Sequence, residues 1–430
     1  GVEWYARSAR DRPRAPFLVV GDEVLHYAEA WQRISGLAGG IASGHPAGAL
    51  LAVRMRPSVD DLLLALAVQM AGMVLVPLPA SESDADRRRL AALGGVVLSP
   101  EDVPVARPAW RRPAEHDTAV VIFTSGSTGE PRAVRLTWGN LEASALASAL
   151  HLDHRPDDRW LAVLPLHHVG GLSILWRSAR QGSAVVLAAP FDASTSIALL
   201  HDGALTLGSF VSPMLERLVD SGLERAPGFR FGLVGGGPAS PRALAAGGMR
   251  LLATYGMTET ASQVATADPA SPRPDRLVVL SGAEIGVRPD GRILVDGPMV
   301  SPGDAAASDR QGPLVTADIG RLHGDRLEVL GRADDVIVTG GENVMPERVE
   351  RALAAIPGAG RGAVVGLPDD RWGMVVAACY TGPAAPEEVD RAVRRLIAPH
   401  EVPRRWMRVE AIPEIGIGKV DRRAVAALFE

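Results

Sequence analysis

The 430-residue sequence predicts an α/β protein: a large N-terminal domain of doubly wound sheets with a small β-barrel-like segment, then a smaller α+β C-terminal domain. Three observations predict it. From Leu50 to Phe123, short apolar runs alternate with stretches at helical spacing, the pattern of a parallel sheet covered on both faces. From Leu277 to Val329, short apolar segments are separated by Gly, Pro and Asp turns, the pattern of a small antiparallel barrel. Beyond Val329, about a hundred residues remain, enough for a domain of their own.

Taken in order, residues 16–27 read as a hairpin with Gly21-Asp22 at its turn. A helix follows, with Ala28, Trp31, Ile34, Leu37 and Ile41 on one face. Leu50–Met55 is a strand, Ser58–Ala71 a buried helix and Val74–Pro77 the next strand. The apolar run from Leu62 to Pro79 is broken by Gln69, Gly72 and Pro77, so it is not a membrane span. Gly95–Ser99 is a strand, and the proline-rich Pro100–Asp117 a surface connection. Ala119–Phe123 is a buried strand that opens into Thr124-Ser-Gly-Ser-Thr-Gly-Glu-Pro-Arg132. There Gly126 and Gly129 permit tight turns, and the hydroxyls of Thr124, Ser125, Ser127 and Thr128 can face phosphate oxygens. Arg132 adds positive charge. A polar turn is the plain alternative. The spacing of a Walker A loop is absent, which argues against an ordinary P-loop NTPase.

Leu141–Ala149 is a helix with Asn140 a candidate cap. Arg159–Leu164 is a strand ending in Pro165-Leu-His-His-Val-Gly-Gly171. Adjacent His167 and His168 cannot converge on one ion, so a metal site is rejected and a strand-end cap is the plain reading. Ser183–Leu187 is a strand, Ser194–Asp202 a helix, and Ser212-Pro213 starts another. Phe231–Val234 ends in Gly235, Gly236, Gly237 and Pro238, a bare backbone suited to a flat ligand or to a simple turn. Leu251–Thr254 leads into Tyr255-Gly-Met-Thr-Glu-Thr260. Past residue 335, Val336–Thr339, Gly362–Gly366 and Val375–Thr381 are strands; Glu347–Ala355 and part of Ala385–Leu396 are helices. Lys419 sits on a glycine-bounded segment near the end.

A net charge of −5 gives no reason to expect nucleic acid or an anionic membrane as partner. The single cysteine, Cys379, lies in an apolar run and reads as a buried structural thiol, which fits a reducing, cytoplasmic setting. Residues 1–7 do not read as a signal peptide.

The motifs together resemble the adenylate-forming enzymes: acyl-CoA synthetases, non-ribosomal adenylation domains and luciferases. Residues 124–132 are similar to that family's T-S-G-[ST]-T-G-x-P-K-G, with Arg132 and Ala133 standing where lysine and glycine are usual. Arginine keeps the charge and can grip phosphate through two nitrogens. Residues 255–259 match Y-G-x-T-E, 316–320 match T-x-D-x-G, 331–335 match G-R-x-x-D, and 339–346 match [ST]-G-G-E-N-[IV]-x-P.

The resemblance implies a division into residues 1–333, with the ATP and acyl sites, and a mobile domain of residues 334–430. It implies ATP binding by Thr124, Ser125, Gly126, Ser127, Thr128, Gly129 and Arg132. Gly235, Gly236, Gly237, Pro238, Tyr255, Gly256, Met257, Thr258, Asp318, Arg332 and Lys419 complete the implied ATP set. By the resemblance, Tyr255 is expected to stack on adenine, Asp318 to hold the ribose hydroxyls, and Glu259 to hold Mg²⁺. His168, Gly171, Gly236 and Ser262 line the acyl pocket. The resemblance further implies that Asp334 is the hinge, that Gly340 and Gly341 serve the coenzyme A step, and that Lys419, Glu259, Thr258 and His168 are catalytic.

Residues 164–177 and 255–266 are similar to the o-succinylbenzoate–CoA ligase branch, which serves menaquinone synthesis; His167 replaces an aromatic residue there and Gly170 a serine. The substrates expected are therefore a small carboxylic acid, ATP and coenzyme A, with a homo-oligomer left open. The alternatives are another aryl- or acyl-CoA ligase, a carrier-protein-loading adenylation enzyme, or an inactive adenylate-binding protein.

Overall fold

The computed structural model describes residues 3–81, 83–124, 132–415 and 419–430. Two large sheets and one small sheet organise the chain. The largest has 13 strands, in the order 284–287, 292–296, 314–323, 326–332, 277–279, 262–267, 251–257, 231–234, 207–210, 159–162, 184–187, 16–20, 23–26. From 251–257 to 16–20 neighbouring strands are parallel; outside that block they are antiparallel. The segment expected as a small barrel thus continues the hydrogen-bonded ladder of the parallel strands, joined through 251–257 and 262–267.

The second sheet orders 303–304, 132–137, 118–124, 74–78, 50–54 and 96–98. Helices 27–44, 59–70, 138–152 and 169–181 contribute to one apolar cluster that also takes residues from both sheets. Side chains alternate across a strand, and both faces of the large sheet are covered. Trp160 and Ala162 enter the inter-sheet cluster, whereas Leu161 and Val163 enter a second cluster with Phe210, Met214 and Leu215. Helix 59–70 is caught between layers, so Leu62, Leu63 and Leu64 are all fully buried. Each contributes about 1.5–3 kcal/mol. Its start is fixed by Ser58, whose hydroxyl accepts the Asp61 N–H at 3.3 Å.

The C-terminal sheet places 337–339 beside 342–344 and 373–380, which in turn pairs with 362–369 and 405–408. Val364, Val376, Ala378 and Tyr380 pack one face; Ala363, Val365, Val375, Ala377 and Cys379 pack the other. Burial pushes the Cys379 thiol up to about 11, so it is an inert core residue.

Three differences from the sequence reading bear on the site. Arg132–Thr137 is a strand, antiparallel to Thr118–Thr124, with Thr124 opposite Arg132. Helix 138–152 is capped by Thr137, not Asn140. Asn140 is the third helical residue; its amide donates to the carbonyls of Pro298 at 2.8 Å and Val300 at 3.0 Å. Helix 169–181 starts directly at His168. Among the described residues no helix is long and apolar enough to cross a membrane.

Candidate active site

Ligands of open parallel sheets sit at the carboxyl ends of the strands. Here those ends deliver three of the expected segments. Strand 159–162 leads to Pro165–His168, strand 231–234 to Gly235–Pro238, and the parallel part of strand 251–257 to Tyr255. These strands lie within the same parallel block, so the segments emerge along one edge.

The expected sugar-binding residues are brought together. The Tyr255 hydroxyl donates to Asp318 Oδ2 at 2.8 Å, and Arg332 Nη1 lies 3.3 Å from Asp318 Oδ1. Adjacent strands set this geometry, with Asp318 and Arg332 as register partners. Arg332 also reaches Asp334 at 3.4 Å. Thr316 steadies the carboxylate's backbone: its hydroxyl accepts the Asp318 N–H at 3.1 Å and donates to Ile293 O at 3.0 Å. Burial, then the Asp318 carboxylate, raises the Tyr255 phenol well above its usual range, so it remains a donor.

Beyond Tyr255 the backbone is tightly constrained. A Cβ on Gly256 would lie 1.9 Å from the Ser262 carbonyl oxygen, so only glycine fits. Thr260 closes the turn, accepting the Met257 N–H at 3.0 Å and donating to Ser262 O at 2.7 Å. Ala261 and Ser262 have φ of 50° and 115°, conformations that cost about 1–3 kcal/mol each and cluster at functional sites. Alanine and serine give no sequence hint of this.

The Thr258–Glu259 turn is tied to the strand following residues 125–131. Ser301 N–H donates to Glu259 O at 2.7 Å, and the Ser301 hydroxyl donates to Arg135 O at 2.6 Å. Asp304 holds the same strand: its Oδ2 accepts the Ala133 N–H at 2.9 Å. Ser125, Gly126, Ser127, Thr128 and Gly129 lie outside the described residues; Thr124 and Arg132 stand at either end of them. Among the described residues no three acidic, histidine or cysteine groups gather to hold a metal. One half-buried carboxylate, Glu259, suits Mg²⁺, which takes its other ligands from substrate phosphates and water.

On the acyl side, Gly171 is needed because a Cβ would lie 2.3 Å from Pro165 O. The rings of His167 and His168 are 4.2 Å apart. Burial, then His168, lowers the His167 imidazole to about 4, and desolvation also lowers solvent-accessible His168; both are neutral at pH 7. Arg177, on the same helix, has no role in the sequence reading. It is fully buried, stacks 5.7 Å over Trp160, and has no hydrogen-bond partner for Nε or Nη2. Desolvation lowers it only to about 10, so it stays cationic.

Residues 94–303 match the AMP-binding enzyme family, and residues 348–419 match the C-terminal domain of AMP-binding enzymes. A 2-succinylbenzoate–CoA ligase of Listeria monocytogenes is 38% identical over 328 residues, which span 71% of this chain and 68% of that protein. The chain belongs to the AMP-binding enzyme family. A Bacillus cereus protein of the same name is 36% identical over 340 residues, 73% of this chain and 70% of its own length. The structure of o-succinylbenzoate CoA synthetase from Bacillus subtilis, bound to its acyl-adenylate intermediate, superposes with a TM-score of 0.87 at 27% identity. It covers 98% of this chain and 97% of that one.

In this AMP-binding enzyme no hydrogen bond or ion pair among the described residues joins Lys419, Gly340 or Gly341 to the Tyr255–Asp318–Arg332 cluster. Lys419 begins a two-residue strand paired with Glu414–Ile415, is exposed, and makes no ion pair among the described residues. Gly340 and Gly341 form the turn between strands 337–339 and 342–344, and Gly340 N–H donates to Trp372 O at 2.9 Å. One sequence signal stands out here: of 45 lysine and arginine residues, Lys419 is the sole lysine.

Proposed function

We propose that this protein is an ATP-dependent acid–CoA ligase that converts o-succinylbenzoate to its coenzyme A thioester, a step of menaquinone synthesis. The observation that carries the reaction type is the joining of Tyr255, Asp318 and Arg332 at the strand ends that also present the Thr258–Glu259 turn. That arrangement offers a sugar anchor beside a phosphate and metal anchor. Glu259 would hold Mg²⁺, which would neutralise charge on the triphosphate.

In the first half-reaction an ionised carboxylate attacks the α-phosphate and pyrophosphate leaves. No base is required, but two anions must meet, so fixed positive charge is the main need. Arg132 supplies it at the phosphate loop. Lys419 bridges carboxylate and α-phosphate once the domain after Asp334 swings in. In the second half-reaction the coenzyme A thiol attacks the acyl carbonyl and AMP leaves, with the Gly340–Gly341 turn presented instead.

The choice of acid is supported by the likeness of this chain to 2-succinylbenzoate–CoA ligases, at 38% and 36% identity. The test is pyrophosphate and AMP release across a panel of carboxylic acids, with and without coenzyme A. The reading requires o-succinylbenzoate to exceed benzoate in kcat/KM. Acid-dependent ADP release would overturn the reaction type, and equal use of monocarboxylic acids the substrate.

A further inference from the structure

Helix 422–427 begins three residues after Lys419, and its first residue sits among acids. Arg422 Nε lies 3.1 Å from Asp335 Oδ2, Nη1 2.6 Å from both Glu350 Oε1 and the Val364 carbonyl, and Nη2 3.3 Å from Glu347 Oε1. Three carboxylates thus converge on one guanidinium. They come from two places that matter for movement. Asp335 adjoins the expected hinge, and Glu347 and Glu350 lie on helix 346–354. Glu347 also reaches across that hinge: a Cβ on Gly331 would lie 2.3 Å from Glu347 Oε2, an oxygen buried without a hydrogen-bond partner. The N-terminal side of the hinge is therefore packed against the same cluster.

The connection from Arg422 back to Lys419 has little slack. Three residues span at most about 10 Å. Asp421 pins the middle of that path, accepting the N–H groups of Arg423 at 3.1 Å and Ala424 at 3.0 Å while its own N–H donates to Pro413 O at 2.9 Å. Val425 and Phe429 anchor the helix in the core beneath strand 362–369. A guanidinium can serve three acids because its donors fan out in a plane; an ammonium is a point charge.

We propose that Arg422 is a positioning residue for Lys419. Through Asp335, Glu347 and Glu350 it fixes the lysine segment to the hinge, so that rotation at Asp334 delivers the lysine as part of one rigid body. What the lysine does on arrival rests on the ligase reading; the coupling does not.

Two variants test it. Asp335→Asn cuts the hinge-side link while leaving Arg422 between Glu347 and Glu350, and Arg422→Gln removes the hub. Because Lys419 is the sole lysine, a lysine-specific endopeptidase reports on its segment alone and needs no substrate. Both variants should be cleaved at Lys419 about tenfold faster, since cleavage follows the population of the opened segment. Adenylate formation should fall roughly ten- to a hundredfold, the order of loss for a reacting group misplaced by about 1 Å, with thioester formation from supplied acyl-adenylate changed by less than about twofold. Unchanged cleavage at Lys419, or equal slowing of both half-reactions, overturns the proposal. Should Arg422→Gln unfold, Asp335→Asn decides alone. Absence of pyrophosphate from the wild-type protein would count against the ligase reading only, because the cleavage rates still judge the coupling.

Discussion

Replacing Asp318 with alanine should abolish discrimination between ATP and its deoxyribose analogues. In the structure this carboxylate accepts from Tyr255 at 2.8 Å on Oδ2 and faces Arg332 at 3.3 Å on Oδ1, which fixes its orientation. A hydrogen bond to a charged acceptor is worth about 1.5–3 kcal/mol, or roughly 10–150-fold in kcat/KM. The Asp318–Arg332 pair itself counts for less, since the arginine side chain is 34% exposed and solvent screens it. The assay is pyrophosphate release with ATP, 2′-deoxy-ATP and 3′-deoxy-ATP for wild type, Asp318→Ala and Tyr255→Phe. Wild type should penalise at least one analogue by that factor. Asp318→Ala should use all three within about threefold of one another, because the partner of the missing hydroxyl is gone. Tyr255→Phe should keep the penalty, since the phenol meets Asp318 and not the sugar. If Asp318→Ala discriminates as strongly as wild type, the carboxylate does not hold the ribose.

Arg132→Lys should keep kcat/KM for ATP within about tenfold, on the order of 1.4 kcal/mol, and Arg132→Ala should lose more; equal near-wild-type kinetics would remove residue 132 from phosphate binding. Lys419→Ala should slow adenylate formation by about 10²–10³ while leaving thioester formation from supplied acyl-adenylate largely intact, as single-turnover kinetics of each step would show. Asp334→Pro should do the reverse. His167 has a folded pKa of about 4, below the usual 6.5, so between those values the unfolded chain binds more protons and stability falls as pH drops. His167→Phe should therefore lose less stability than wild type between pH 7 and pH 5 in denaturant titrations; an identical loss would show that His167 does not carry this dependence.

The alternation of apolar runs and helical stretches was legible because a doubly covered sheet demands it, and residues such as Trp160 through Val163 bear it out by alternating between two cores. Strand 132–137 escaped notice because its two arginines break the apolar pattern; Arg132 is solvent-exposed and Arg135 only partly covered. The cap of helix 138–152 was misplaced by three residues because Thr137 and Asn140 bond each other's backbone N–H reciprocally, and either type suits a cap. The Tyr255–Asp318–Arg332 group was reached through motifs far apart in the chain, whose convergence only strand pairing reveals. Arg177 was matched as the last residue of 164–177 but no role could be read for it: an arginine in the last turns of an apolar helix looks like a surface residue until its burial is seen.

The contrast between Arg132 and Lys419 joins the chemistry to the composition. At residue 132 the need is for fixed positive charge near phosphate oxygens, and a planar guanidinium meets it as well as an ammonium. At residue 419 one small charge must sit between a carboxylate and a phosphate as the bond between them forms. An ammonium directs three donors from a single centre into that gap, where a broad guanidinium would hold the reacting atoms apart. Of the 45 lysine and arginine positions all the others are arginine, so the one lysine falls on the motif position by a chance of one in 45 if placed without regard to function. A protein that only bound the adenylate would have no use for that exception, since Lys419 stands apart from the Tyr255–Asp318–Arg332 cluster in this conformation.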